Sequence, residues 1–355
     1  MGPGAPNRTQ APMQVFVPYA PSAASTRVRV HHWLERTGLA AQLHDWAGVG
    51  NHGLGTLLRH PGAVARAEQQ VRRLAHGPFD RVLVQRQVSP FSGGRLERQI
   101  LARAHLGLYD FDDALMTMPR RGAQRLWSKA EACRAGVTYA DRVLAGSEVL
   151  ADWAQDYCSD VRLIPTCVEM ADYPAKVDFD LGDAPRLVWL GSPATEHHLA
   201  LVAPAVAAAN RAVRARLTVI SSGDRDLGAL TQHVDRVEWR PGIEATLRDY
   251  DLGIAPLVDE PLARGKCAYK MLQYGAAGLP TVATPLGANG YVGAQLGVIP
   301  ADDDAQWTDA LLGLLGLPAV ERAAVGAHAR AQTAQLYSYD AWQDAWLAAV
   351  GATPR

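Results

Sequence analysis

With 355 residues, 48% hydrophobic and 20% charged, the chain exceeds the size at which one core usually suffices, and two domains are expected. Its 35 Lys and Arg nearly cancel 36 Asp and Glu, which excludes a global field for holding nucleic acid or an anionic membrane and favours a small-molecule partner. Cys133, Cys158, Cys167 and Cys267 form no C-x-x-C pair, which argues against a disulfide scaffold or a structural zinc.

Residues 1–12 read as a Pro/Gly-containing disordered tail, where the sequon Asn7-Arg8-Thr9 has no meaning without secretion. No signal pattern is present, and the longest apolar runs, such as Leu199 to Ala209, are about half a membrane span, so a cytoplasmic protein is expected. Short apolar runs then alternate with segments of helical period, the signature of βα units and a parallel sheet. In the first half, strands are expected at Val15–Pro18, Arg81–Val84, Leu106–Phe111, Val143–Gly146 and Val161–Ile164. Helices are expected at Arg27–Arg36, Pro61–Ala75, Arg95–Ala104, Ala123–Asp141 and Glu148–Tyr157, the last capped by Ser147.

A hydrophilic stretch interrupts the rhythm, giving an N-terminal domain over 13–170, a linker over 171–185 and a C-terminal domain over 186–335. Strands resume at Leu187–Leu190, Leu217–Ser221, Val237–Arg240, Leu252–Ala255, Thr281–Ala283 and Val298–Ile299. Helices are expected at Glu196–Asn210, Ile243–Arg248, Cys267–Ala276 and Asp304–Leu314, with a terminal helix within 336–355 that is open to packing back on the N-terminal domain. Two doubly wound domains of this kind place ligands at the carboxyl ends of their strands.

The most informative run is Arg264 to Thr284. Its Gly265-Lys266 turn opens an expected helix whose free N–H groups suit a phosphate, with Lys266 and Lys270 four apart on one face and Gln273 one turn on, within reach of a ribose hydroxyl. An isolated Gly-Lys would more often begin an ordinary amphipathic helix with surface lysines. After the strand ending at Leu190, Gly191 permits close backbone approach, and Ser192 and Thr195 offer hydroxyls near a diphosphate. Arg240-Pro241-Gly242 and Ala255-Pro256 end two further strands, and the loop from Asp259 to Arg264 can meet a transferred sugar or simply be solvated.

In the first half, Asp110, Asp112 and Asp113 follow an apolar strand, an odd choice for a strand end without a ligand. The alternatives are a solvated turn, or a divalent metal, which is weighed lower. The small-residue loop after the first strand carries Ser25 and Arg27, and Arg27 can meet an anionic group; Arg29 reads as a helix-surface charge and Arg86 as a weaker anion candidate.

The run from Arg264 to Thr284 resembles the donor-binding segment of retaining glycosyltransferases of the GT-B fold, specifically family 4. Gln273 stands where most members carry a ribose-binding glutamate, and Gly265 where a second glutamate is usual. The resemblance implies an α/β fold of the GT-B type: two Rossmann-like doubly wound parallel-sheet domains facing across a cleft. It implies transfer with retention from a UDP-, GDP- or dTDP-sugar to a hydroxyl of a sugar-containing or small-molecule acceptor, with no metal or other cofactor required. Lys266 and Lys270 would then stabilise the departing diphosphate. Gly191, Ser192, Thr195, Arg240, Pro256, Arg264, Gly265 and Gln273 would hold the donor; Asp112 and Asp113 would act in catalysis, and Ser25, Arg27 and Asp110 on the acceptor side. A nucleotide-sugar epimerase and a non-catalytic nucleotide-sugar-binding protein remain the alternatives, and the sequence leaves a homodimer open.

Overall fold

The computed structural model describes residues 11–21, 23–46, 59–119 and 127–352. The sequon, most of the expected tail and the first residues of the helix expected from Ala123 lie outside the described residues. The chain divides into two compact units, one of residues 1–164 with 343–355 and one of Pro165–Trp342.

The first unit holds a six-stranded sheet of β1 (Met13–Val17), β2 (Ala41–Asp45), β3 (Phe79–Gln85), β4 (Ala104–Phe111), β5 (Arg142–Ala145) and β6 (Val161–Leu163) in the order β2-β1-β3-β4-β5-β6. Every pairing is parallel. Val82, Leu83 and Val84 are all buried although successive side chains point to opposite faces, because helices cover both faces of the sheet. Three departures from the sequence expectation have local causes. The edge strand β2, Ala-Gln-Leu-His-Asp, carries no apolar run. The helix expected to reach Ala104 stops at Leu101, since Ala104 already opens β4. Arg27 to Arg36 belongs to a longer helical segment over Ala24–Thr37 that contains a π-helical stretch, Arg27–His31.

The second unit holds β7 (Arg186–Leu190), β8 (Arg216–Ile220), β9 (Val234–Val237), β10 (Leu252–Ala255), β11 (Thr281–Ala283) and β12 (Ile299–Pro300) in the order β12-β11-β10-β7-β8-β9, again all parallel. Leu187 and Trp189 point into one buried cluster with Val206, Leu217 and Trp307, while Val188 and Leu190 point into another with Met271, Leu272 and Tyr274. The strand expected at Val237–Arg240 lies three residues earlier, because Val234 to Val237 pair with Leu217 to Ile220 at the sheet edge. The segment expected as one helix from Glu196 is 3-10 over Pro193–Val202 and α-helical only over Ala203–Val213, where Pro204 lacks the N–H a continuous helix needs. Helices Ala288–Leu296 and Ala319–Tyr337, not expected, are Gly- and Ala-rich without a strong apolar stripe. Within the stretch expected as a linker, Tyr173 is buried and Lys176 N–H donates to Ala277 O.

No single helix among the described residues is long and apolar enough to cross a membrane; Asp304–Gly316 and Ala319–Tyr337 reach that length only as a pair bent by 113°.

Candidate functional site

In the second unit the chain runs from β7 outward through β8 and β9, then returns to β10 on the other side, so the topological switch point lies between β7 and β10. The two strands pair at only Leu187 and Val188, against five positions for β7 with β8. Beyond that point the Tyr274 hydroxyl spans the opening, accepting from Leu190 N at 2.9 Å and donating to Ile254 O at 3.3 Å.

The loop after β7 is shaped by Trp189, since a Cβ on Gly191 would lie 2.3 Å from its ring. Ser192 is exposed, and Thr195 Oγ1 donates to the Ser192 carbonyl at 3.0 Å. His198, 1% exposed, follows on the 3-10 turns, and its Nδ1 accepts the Val258 N–H at 3.1 Å, joining the loops after β7 and β10. Pro256 is buried at the start of the second loop, whose Leu257 N–H donates to Thr284 Oγ1 at 3.0 Å.

Lys266 and Lys270 both act electrostatically on His198. They do so without sharing a helix face. The helix spans Tyr269–Ala277, and Ala268, at φ 55°, separates it from the turn that carries Gly265 and Lys266. An alanine in the left-handed region costs about 1–2 kcal/mol and needs surrounding structure to hold it. Lys270 Nζ lies 5.1 Å from the centre of the Trp189 ring. Burial first, then His197 and the two lysines, hold the His198 imidazole down at about 3, so the ring is neutral.

Other residues expected at the donor stand apart or are already engaged. Arg264 forks onto Asp259 through bonds of 2.7 and 2.6 Å, both side chains well exposed. Gln273 is buried and donates to the Tyr173 hydroxyl at 3.1 Å. Arg240 follows the edge strand β9, with β8 between it and β7. His197, His198 and Glu260 each offer an atom within 4.8 Å of the others, which makes them the described group with metal-ligand spacing.

In the first unit the equivalent switch point lies between β1 and β3. Arg86 follows β3 at φ 60°, its carbonyl accepting from Tyr109 Oη at 2.6 Å and its N–H donating to Asp110 O at 2.8 Å. From there its guanidinium meets Asp112 Oδ1 and Asp113 Oδ2, each at 2.6 Å. Burial works against the Arg86 charge, but the two carboxylates outweigh it and hold it on. Gln85 Nε2 donates to Ser25 Oγ at 2.8 Å, and Ser25 Oγ reaches Asp112 Oδ1 at 3.5 Å. The loop that follows is pinned by buried Glu97, which accepts the Val88 N–H at 2.7 Å.

Asp110 does not join Asp112 and Asp113 at Arg86. It is 1% exposed and receives Arg29 through two bonds, at 3.1 and 2.5 Å, while Arg29 Nη1 donates to Ile164 O at 2.7 Å. Arg29 is therefore an interior ion-pair partner, not a helix-surface charge. Arg27 is half-buried on the π-helical stretch. The acidic run thus divides into a structural aspartate held by Arg29 and two aspartates gathered by Arg86. Partners 26 and 81 residues apart give no local signal for either pairing.

Residues 184–316 match the protein family described as Glycosyl transferases group 1. No curated protein matches the chain. Among solved structures, the chain is similar to an α,α-trehalose-phosphate synthase (UDP-forming) from Burkholderia vietnamiensis, with 13% identity, TM-score 0.66, and 97% of this chain and 99% of that one covered. It is also similar to HepE of Anabaena in complex with UDP and glucose, with 11% identity, TM-score 0.64, and 96% and 99% covered. A Staphylococcus aureus TarM variant in complex with UDP, fondaparinux and α-GlcNAc-glycerol matches with 13% identity and TM-score 0.59 over 79% of this chain. The chain spans 58% of that protein's length, and 54% of a second TarM structure. Two Rossmann-like units, each built on a six-stranded parallel sheet, make this a GT-B fold.

Proposed function

We propose that the chain is a glycosyltransferase that binds a nucleoside-diphosphate sugar at the β7/β10 switch point and passes the sugar, with retention, to an acceptor hydroxyl. The observation that carries this reading is Lys270, 5.1 Å from the Trp189 ring of β7 and acting with Lys266 on His198 after that strand, inside the segment that matches the group 1 family. UDP accompanies two of the structurally similar proteins, which favours UDP among the candidate nucleotides.

In this reading Gly191, Ser192 and Thr195 lie along the diphosphate, and Lys266 and Lys270 neutralise the charge that grows on it as the glycosidic bond breaks, in place of a divalent cation. Pro256 and Gly265 shape the backbone around the donor, Arg240 and Arg264 meet its outer groups, and Gln273 approaches the ribose from its bond to Tyr173. Ser25, Arg27, Asp112 and Asp113 serve the acceptor. Asp112 and Asp113 both meet the Arg86 guanidinium, which positions their carboxylates to orient a hydroxyl. Asp110 acts through Arg29 as a positioning residue.

The test is release of nucleoside diphosphate from UDP-, GDP- and dTDP-sugars with a panel of glycosidic and small-molecule hydroxyl acceptors, with and without EDTA. Acceptor-dependent release that survives EDTA supports the proposal. Sugar rearrangement without an acceptor would move the chain to the epimerases, and binding without turnover to the nucleotide-sugar-binding proteins.

A further inference from the structure

His198 plays no part in the proposed transfer, yet its environment is built. Its ring is 1% exposed and its Nε2 has no hydrogen-bond partner among the described residues. A buried polar atom left unpaired costs about 1–3 kcal/mol, so it asks for a ligand or another explanation. The bond to Val258 fixes the ring's chemistry: a backbone N–H can only donate, so Nδ1 holds the lone pair and the proton of the neutral ring sits on Nε2.

That tautomer decides between two ligands. The grouping of His197, His198 and Glu260 has metal-ligand spacing, but a cation needs a lone pair, and His198 Nε2 has none to give while the Val258 bond stands. His197 is oriented differently. Its Nδ1 lies 3.0 Å from Ala194 O, which can only accept, so Nδ1 carries the proton, and Nε2, 3.5 Å from Glu260 Oε1, pairs with that carboxylate only when the ring is protonated. A buried N–H without a partner, within the field of Lys266 and Lys270, fits an acceptor-only anion.

Building on the proposed donor site, we infer that the His198 Nε2–H is a hydrogen-bond donor to a phosphate oxygen of the donor diphosphate, acting alongside Lys266 and Lys270. The ring adds directionality where the lysines add charge. Because it is neutral, it adds no third positive charge to a buried site.

Two variants separate this role from a structural one. His198→Asn keeps an acceptor for the Val258 N–H and removes the Nε2 donor; His198→Gln restores an N–H near the Nε2 position. Calorimetric titration of the full chain with UDP, GDP and dTDP is expected to show affinity for the best ligand falling about ten-fold to a hundred-fold in His198→Asn and recovering by most of that factor in His198→Gln. Thermal unfolding of His198→Asn close to that of the unaltered chain assigns the loss to the ligand contact. In imidazole-labelled NMR spectra the His198 Nε2–H signal should move when the nucleotide binds. Equal affinity in the unaltered chain and His198→Asn, with an unmoved signal, overturns the inference and leaves the donor site standing. No binding of any diphosphate overturns both. Nucleotide binding that requires Zn²⁺ and is lost in Glu260→Gln overturns it in favour of a cation site.

Discussion

The Tyr274 hydroxyl accepts the Leu190 N–H at 2.9 Å where β7 and β10 part. A parallel sheet that opens at its switch point leaves backbone groups of both strands unpaired, and this one phenol serves both, since it also donates to Ile254 O. The ring lies against β10 closely enough that a Cβ on Gly253 would be 2.7 Å from it. Tyr274→Phe keeps the packing and orphans the Leu190 N–H, so a loss of about 1–3 kcal/mol of stability is expected in urea unfolding. A loss below about 0.5 kcal/mol would show that the opening is bridged another way.

Gly191 sits at the same place for a different reason. A methyl there would collide with buried Trp189, and either the ring or the loop after β7 must move. Gly191→Ala is expected to weaken nucleoside diphosphate binding by about ten-fold or more, measured by calorimetry, with the Trp189 fluorescence altered in the free protein. Unchanged binding would place the diphosphate away from this loop.

In the first unit Arg86 joins an ion pair to a strained backbone position. Arg86→Gly removes the pairing and the strain together, whereas Arg86→Ala removes only the pairing. The glycine variant should be the more stable of the two by about 1 kcal/mol. Both should lose transfer while donor affinity, assigned to the second unit in the proposed function, stays within about two-fold. Asp112→Asn should likewise lower kcat about ten-fold or more without changing donor affinity. A parallel fall in donor affinity would contradict the division of labour between the units.

His198 gives a pH signature. Its folded value of about 3 lies below the ordinary imidazole value of about 6.5, because burial and the neighbouring His197, Lys266 and Lys270 disfavour its cation. Protonation therefore favours the unfolded chain: the contribution is present above about pH 6.5 and drains away as pH falls toward 3. The melting temperature should drop between pH 6.5 and 4 in the unaltered chain and drop less in His198→Asn. Glu260, beside His197, is common to both proteins, so the comparison isolates His198. Identical slopes would mean the ring is not held neutral.

Much of the fold was legible because parallel strands buried on both faces announce themselves as apolar runs, as at Leu187 to Leu190 and Val82 to Val84. The half-exposed edge strands escaped that signal: Ala41–Asp45 has no run at all, and the register of β9 is set by its pairing with β8. Lys266 and Lys270 were legible as residues, but not their arrangement, since nothing local marks Ala268 as the left-handed residue that parts them. Arg29 looked like surface charge because its partner Asp110 is 81 positions away. His198 was visible only as one of two adjacent histidines, and its role depends on a backbone N–H from a loop 60 residues on.

The most direct measurement is calorimetric titration of the full chain with UDP, GDP, ADP and dTDP, repeated with Lys270→Ala and Gln273→Ala. One diphosphate, UDP, is expected to bind and stabilise the chain against heat, with affinity reduced at least about ten-fold in Lys270→Ala and by less in Gln273→Ala. No binding at millimolar concentration, or binding indifferent to Lys270, would contradict the donor site between β7 and β10.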